Sequence, residues 1–164
     1  METNKIHIIR WEEIPDFPLY VDQVLTIINE SLSFLNYNDD KNDIVLTNTM
    51  VNNYIKHGIV EGPSKKKYTR IHVAYLISVT LLKQVYALDD IMTILKVQTK
   101  NFKVNDIYND FCETFENYTN DIESNSINDD YNNIKVVNIF NKIIKSVVYK
   151  IYVEKQLDII NRQD

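Results

Sequence analysis

An all-α fold follows from three features of the sequence. Two glycines and three prolines among 164 residues are too few for the tight turns that hairpins and barrels need. Apolar residues recur at three- and four-residue spacing over most of the chain, the period of a helix with one buried face. Polar runs such as "NYNDDKND" separate these stretches. With 45% hydrophobic residues, the chain can bury one core, or a core and a helical extension.

Taken in order, residues 1–17 read as an extended, proline-broken lead. Pro18 suits a first helical turn, where a missing N–H is harmless. Val21, Val24, Leu25, Ile28, Leu32 and Leu35 then mark a helix over about 18–35. After the polar loop, Thr47 caps a short helix over 47–57, and Gly58 supplies the left-handed residue that ends it. One face of this helix holds Met50, Val51, Tyr54 and Ile55; the other holds Thr49, Asn52, Asn53 and Lys56. Two short extended pieces around Gly62-Pro63 follow, a candidate wing over 59–68. Thr69 caps a helix over 69–86 that is apolar nearly all round and so should be the most buried. Further helices are expected over 88–96, over 104–118, and over 131–161, where Val137, Phe140, Ile144, Val147 and Ile151 form a stripe. "DIESNSINDDYNN" between the last two reads as a polar connection. The long final helix suits packing within the chain and a dimer seam equally well.

Charge is spread unevenly. The formal total is −5, yet residues 45–86 carry six Lys/Arg against one Asp/Glu, and residues 87–130 carry three against ten. Residues 1–44 are also acidic, with three basic residues against nine. A basic block between acidic ones is an electrostatic footprint for a polyanion, whatever the net sign. Cys112, the single cysteine, excludes an internal disulfide framework and suits a reducing, cytoplasmic setting. No signal-peptide pattern opens the sequence, and the apolar stretch Ile71 to Leu82 is too short to span a bilayer, so no membrane partner is expected.

A capped short helix, a turn, a basic wing and a second capped helix are the parts of a winged helix-turn-helix, in order. Thr49, Asn52, Asn53 and Lys56 would face the major groove of double-stranded DNA, where Asn can pair bidentately with adenine and Thr can touch a thymine methyl. Lys65, Lys66, Lys67, Tyr68 and Arg70 would contact the phosphate backbone. "LTNTMVNNYIKHGIV…KKKYTRIHVAYL" resembles the N-terminal DNA-binding domain of MerR-type regulators. Thr47, Tyr54, Lys56 and Gly58 match its recognition helix, and Lys66, Tyr68 and Thr69 match the approach to the next helix. Asn52 and Asn53 stand where that family has arginine and tyrosine. A longer resemblance, through "WEEIPDFPLYVDQV", "TMVNNYIKHG" and "KKKYTRIHVAYLI…LLKQV", is to the bacterial family of domain of unknown function 1836. It covers residues 11 to about 100 and implies little about activity.

The reading is therefore a dimeric transcriptional regulator, with a helix-turn-helix domain over 18–97 and a C-terminal helical region over 98–164. The rival reading keeps the same shell but sets its lysines against an acidic protein surface. His7, His57 and His72 lie far apart with no acidic or cysteine partner at metal spacing, and are expected as surface or capping residues rather than ligands. Cys112 is expected in the core. Asp89 and Asp90 complement a helix N-terminus. No phosphate loop, nucleophile elbow or catalytic carboxylate spacing is present, so neither an enzyme nor a cofactor is expected. A small-molecule effector pocket among the Tyr and Phe of the C-terminal half is left open, with no motif behind it.

Overall fold

The computed structural model describes residues 6–36, 44–126 and 136–163, with no side chains described at 123–126, 136–144, 147, 148, 151 and 152. Among the described residues the fold is all-helical, and β-type backbone pairing is confined to two isolated antiparallel bridges. The helices are α1 (Val21–Ser31), α2 (Asn48–Lys56), α3 (Arg70–Leu82), α4 (Leu88–Asn101), α5 (Val104–Ser126) and α6 (Val136–Asn161). None of them is long and apolar enough to cross a membrane.

Met1–Glu116 forms one compact unit and Asn117–Asp164 a second. The first therefore runs well past the boundary expected after residue 97. Its extent has a clear cause: Tyr108 and Cys112, on the first half of α5, are buried in the same core as Ile8, Leu32, Leu46, Leu76 and Ile91. In the second unit Leu157 of α6 is buried, while Tyr118, Ile122, Tyr149 and Ile159 are exposed. The expected stripe from Val137 through Ile151 falls on side chains outside those described.

α3 is the centre of the first unit, as its all-round apolar sequence predicts. His72, Val73, Ala74, Leu76, Ile77, Val79, Thr80 and Leu81 are all buried. Thr80 tolerates burial by donating its hydroxyl to the Leu76 carbonyl oxygen at 2.6 Å. At the start of α3, the Thr69 amide donates to Nδ1 of His72 at 2.9 Å, so the third helical residue caps the first turn. That bond makes Nδ1 an acceptor and puts the ring proton on Nε2. His72 is thus a capping histidine, although a buried one.

The lead is extended over residues 6–10 and makes a 3-10 turn at Trp11–Glu13; it has no neighbouring strand, so many of its backbone polar groups are met by side chains. The Ile8 amide donates to Glu116 Oε1 at 2.7 Å, the Ile9 amide to Ser31 Oγ at 3.0 Å, and the Trp11 amide to Asn109 Oδ1 at 2.9 Å. Tyr108 donates its hydroxyl to the Ile9 carbonyl at 2.6 Å, and Arg70 Nε donates to the Ile14 carbonyl at 2.9 Å. Arg10 forks onto Glu116 at 2.7 and 2.6 Å. Burial works to raise the Glu116 pKa, but the Arg10 guanidinium and the Ile8 amide outweigh it and hold the carboxyl below its ordinary value.

Asn29 of α1 does similar work further along the chain. Its side chain accepts from the Leu46 amide and donates to the Leu46 carbonyl, both at 2.9 Å, fixing the segment that leads into α2.

Several boundaries differ from those the sequence suggests. α1 begins at Val21 rather than near Pro18, because Leu19 exchanges two 2.8 Å backbone hydrogen bonds with Tyr68 and is drawn into an extended conformation. It ends at Ser31, and Ser33–Leu35 forms a separate 3-10 turn. α3 stops at Leu82, whereas α4 runs on to Asn101 and α5 to Ser126, since no glycine or proline interrupts either sequence. The "DIESNSINDDYNN" connection, residues 121–133, is therefore helical through Ser126; the rest of it and the loop over 37–43 lie outside the described residues.

A carboxylate whose folded pKa is depressed stabilises the fold above its unfolded pKa, and that contribution is lost as pH falls through the folded value. Glu116→Gln should lower the unfolding free energy at neutral pH by about 2 kcal/mol, the scale of hydrogen bonds to a charged group. It should also flatten the acid destabilisation expected of the parent chain below about pH 4.3. Urea unfolding of both chains at neutral pH and at about pH 3 measures the two effects.

Candidate nucleic-acid interface

α2 is held by local devices at both ends. Thr47 accepts from the Met50 amide at 3.3 Å, and Gly58 ends the helix with φ of +72°. Val51 and Tyr54 are buried on one side. Thr49, Asn52, Asn53 and Lys56 are all exposed on the other. Their side chains make no hydrogen bond or ion pair to any described residue, so this polar face is available to a partner. His57, just past the helix, is exposed and donates Nδ1–H to the Asn53 carbonyl at 2.9 Å.

The chain leaving α2 stays attached to it. The Ile59 amide donates to the Tyr54 carbonyl at 3.1 Å, and a Cβ placed on Gly62 would lie 3.8 Å from Cγ2 of Ile55. Gly62 has no left-handed backbone, and that separation is ordinary contact; only Gly58 has a conformation that demands glycine. The tight turn falls later than Gly62-Pro63. It spans Ser64–Lys67, closed by the Lys67 amide donating to the Ser64 carbonyl at 2.9 Å, with Lys65 at φ +49° and Lys66 at φ +64°. Two successive positive φ values define a type I′ turn, for which Asn-Gly is the favoured pair. Lysine in either position strains the backbone by about 1–3 kcal/mol.

The five basic-block residues expected at the DNA backbone fall into two groups. Lys65 and Lys66 are exposed at the tip of the turn. Lys67 is half-buried, its ammonium 3.3 Å from the centre of the Tyr20 ring, a cation–π contact. Tyr68 is 5% exposed, with its ring edge-on to His72 at 5.4 Å between centroids. It belongs to the core, and the expectation that its side chain meets phosphate is corrected. Arg70 is half-buried against the lead, with Nε on Ile14 and its guanidinium 5.7 Å from the centre of the Trp11 ring. Its first role is internal, because it satisfies a carbonyl of the lead that has no strand to do so.

Sequence reasoning missed Tyr20 and Trp11 as the supports of Lys67 and Arg70. Nothing in the spacing of an aromatic some 50 residues away could reveal either pairing. Two further groups stand out here. Tyr54 Oη and His72 Nε2 are buried with no hydrogen-bond partner among the described residues. Burial also raises the Tyr54 pKa, so its hydroxyl stays protonated. Cys112, buried as expected, has its thiol pushed up to about 11, chiefly by that burial, which leaves it an inert core residue.

The family whose model matches the chain is described as "Domain of unknown function (DUF1836)", and the match covers residues 9–118. The chain belongs to that family. The matched span is close to the first compact unit, with the lead from Ile9 onward, the lysine turn and α1 to α4 inside it. No curated protein and no solved structure matches the chain.

Two outcomes follow from the turn geometry. Replacing Lys65 with Asn and Lys66 with Gly should raise the unfolding free energy by about 1–2 kcal/mol, by relieving the left-handed strain; urea unfolding of the double variant measures this. Gly58→Ala should lower stability by about 1–2 kcal/mol, the cost of a Cβ in the left-handed region, while Gly62→Ala should be nearly neutral. Thermal melts of the two alanine variants, compared with the parent, separate the glycines.

Proposed function

We propose that the first unit is a winged helix-turn-helix of MerR-like type that binds double-stranded DNA, in a cytoplasmic transcriptional regulator acting as a homodimer. In this reading α2 is the recognition helix, and its exposed Thr49, Asn52, Asn53 and Lys56 meet base edges in the major groove. The Ser64–Lys67 turn is the wing, with Lys65 and Lys66 on phosphates. Lys67, braced on Tyr20, and Arg70, braced on Trp11, serve as secondary contacts through whatever donors their internal partners leave free.

One observation carries this reading: two exposed lysines occupy the turn positions that Asn-Gly would fill without strain. Side chains kept where they strain the backbone point to a function for those side chains. Two positive charges at the tip of a turn suit an anionic backbone. The outward polar face of α2 is consistent with the same partner.

A rival reading places the same lysines on an acidic protein surface. It draws support from the α2 face, where Lys56 is the one cation among Thr49, Asn52 and Asn53.

The two separate in one experiment. Fragments selected from random duplex DNA by the purified chain, then titrated at two salt concentrations, should show salt-dependent binding. Lys65→Ala with Lys66→Ala should weaken binding across sequences and reduce the salt slope by about two, one for each phosphate contact. Asn52→Ala should instead relax base preference, at about 1–3 kcal/mol for a bidentate contact. A chain that retains no duplex at low salt fails the regulator reading. In a homodimer on DNA, the two copies of α2 should lie about 34 Å apart, one helical turn.

A further inference from the structure

Away from α2 and the lysine turn, the first unit holds a cavity of about 260 Å³ between α3, α4 and α5. Its walls are apolar: Ala74, Tyr75 and Leu82 from α3, Leu95 from α4, and Ile107 and Phe111 from α5 all contribute. Three of the hydroxyls on those walls are already committed to backbone carbonyls. Ser78 donates to Ala74 at 2.9 Å, Thr99 to Leu95 at 2.9 Å, and Tyr108 to Ile9 at 2.6 Å. The interior therefore offers contact area and few free polar partners, which selects an apolar body. A dry apolar cavity of about 150 Å³ takes up benzene, so this one has room for a two-ring aromatic or an aliphatic group of similar bulk.

The mouth has a charge of one sign. Asp110 lines the cavity and is exposed, and no lysine or arginine is among the lining residues. A ligand anion would sit beside that carboxylate with no counter-charge in the lining, whereas an ammonium would find an acceptor there. We propose that this cavity binds a small apolar molecule carrying one positive charge, its body between α3, α4 and α5 and its ammonium donating to the Asp110 carboxylate. The site stands apart from the nucleic-acid reading and does not need it.

Calorimetric titration of the full chain with three ligands of one shape tests the assignment: 1-naphthylmethylammonium, 1-naphthalenemethanol and 1-naphthoate. The amine should bind saturably at one site per chain, up to about fivefold tighter than the alcohol, as a solvent-exposed ion pair gives, with naphthoate weakest. Asp110→Asn should bring amine and alcohol to within about twofold while alcohol binding persists. Ser78→Leu on α3 and Thr99→Leu on α4 fill the cavity from two different helices. Whichever of them keeps the parent's cooperative melt should lose both ligands. Absence of saturable amine binding up to about 1 mM, equal binding of amine and naphthoate, or a preference unchanged by Asp110→Asn would each overturn the proposal.

Discussion

The first unit depends on a strand-like segment that has no sheet. Residues 6–10 run extended and reach Ile14 through a 3-10 turn at Trp11–Glu13, with Ile8 and Ile14 fully buried, and such a backbone carries donors and acceptors that burial would leave unpaired. Helices cannot supply backbone partners, because their own groups are bonded internally. The solution is a set of side chains from three helices: Ser31 from α1, Arg70 from α3, and Tyr108, Asn109 and Glu116 from α5. This requirement draws the first half of α5 into the unit and sets the unit's far boundary at Glu116. It also draws Arg70 partly out of solvent, so the basic block is smaller at the surface than its sequence suggests.

Among the described residues, strain collects in one part of the chain. Lys65 and Lys66 hold left-handed backbone, and Tyr54 Oη and His72 Nε2 are buried without partners among the described residues. Each such feature costs on the order of 1–3 kcal/mol, a large share of the stability of a small domain. All four residues fall between positions 54 and 72, the segment that carries the end of α2, the lysine turn and the start of α3. Elsewhere the described core is conventional, with apolar side chains on α1, α3, α4 and α5 packed around one cluster. Concentration of local cost in an otherwise ordinary core is what a binding surface under selection for something besides stability would show.

Much of the fold was legible in the sequence, because local signals set it. Thr47 and Gly58 bound α2, and Thr69 starts α3, each through chemistry within four residues of itself. The buried character of α3 followed from apolar residues on every face. The outward polar face of α2 followed from its period, and Asn52 and Asn53 are exposed as that period predicts. The site was legible only in part. Tyr68 lies beside three lysines in sequence, yet it pairs through its backbone with Leu19 and turns its ring into the core. The turn itself moved from Gly62-Pro63 to two lysines, against the local preference for glycine.

The sequence by itself determined that the chain is helical, where most helices begin, and which faces of them are apolar, since caps and periodicity act over a few residues. Tertiary structure decided which basic residues reach solvent, where the first unit ends, and that an apolar cavity opens between α3, α4 and α5. Those outcomes rest on pairings such as Arg10 with Glu116, Arg70 with Ile14 and Leu19 with Tyr68. Each joins residues separated by dozens of positions, and no local rule of spacing or propensity encodes which distant group will satisfy a buried donor or charge.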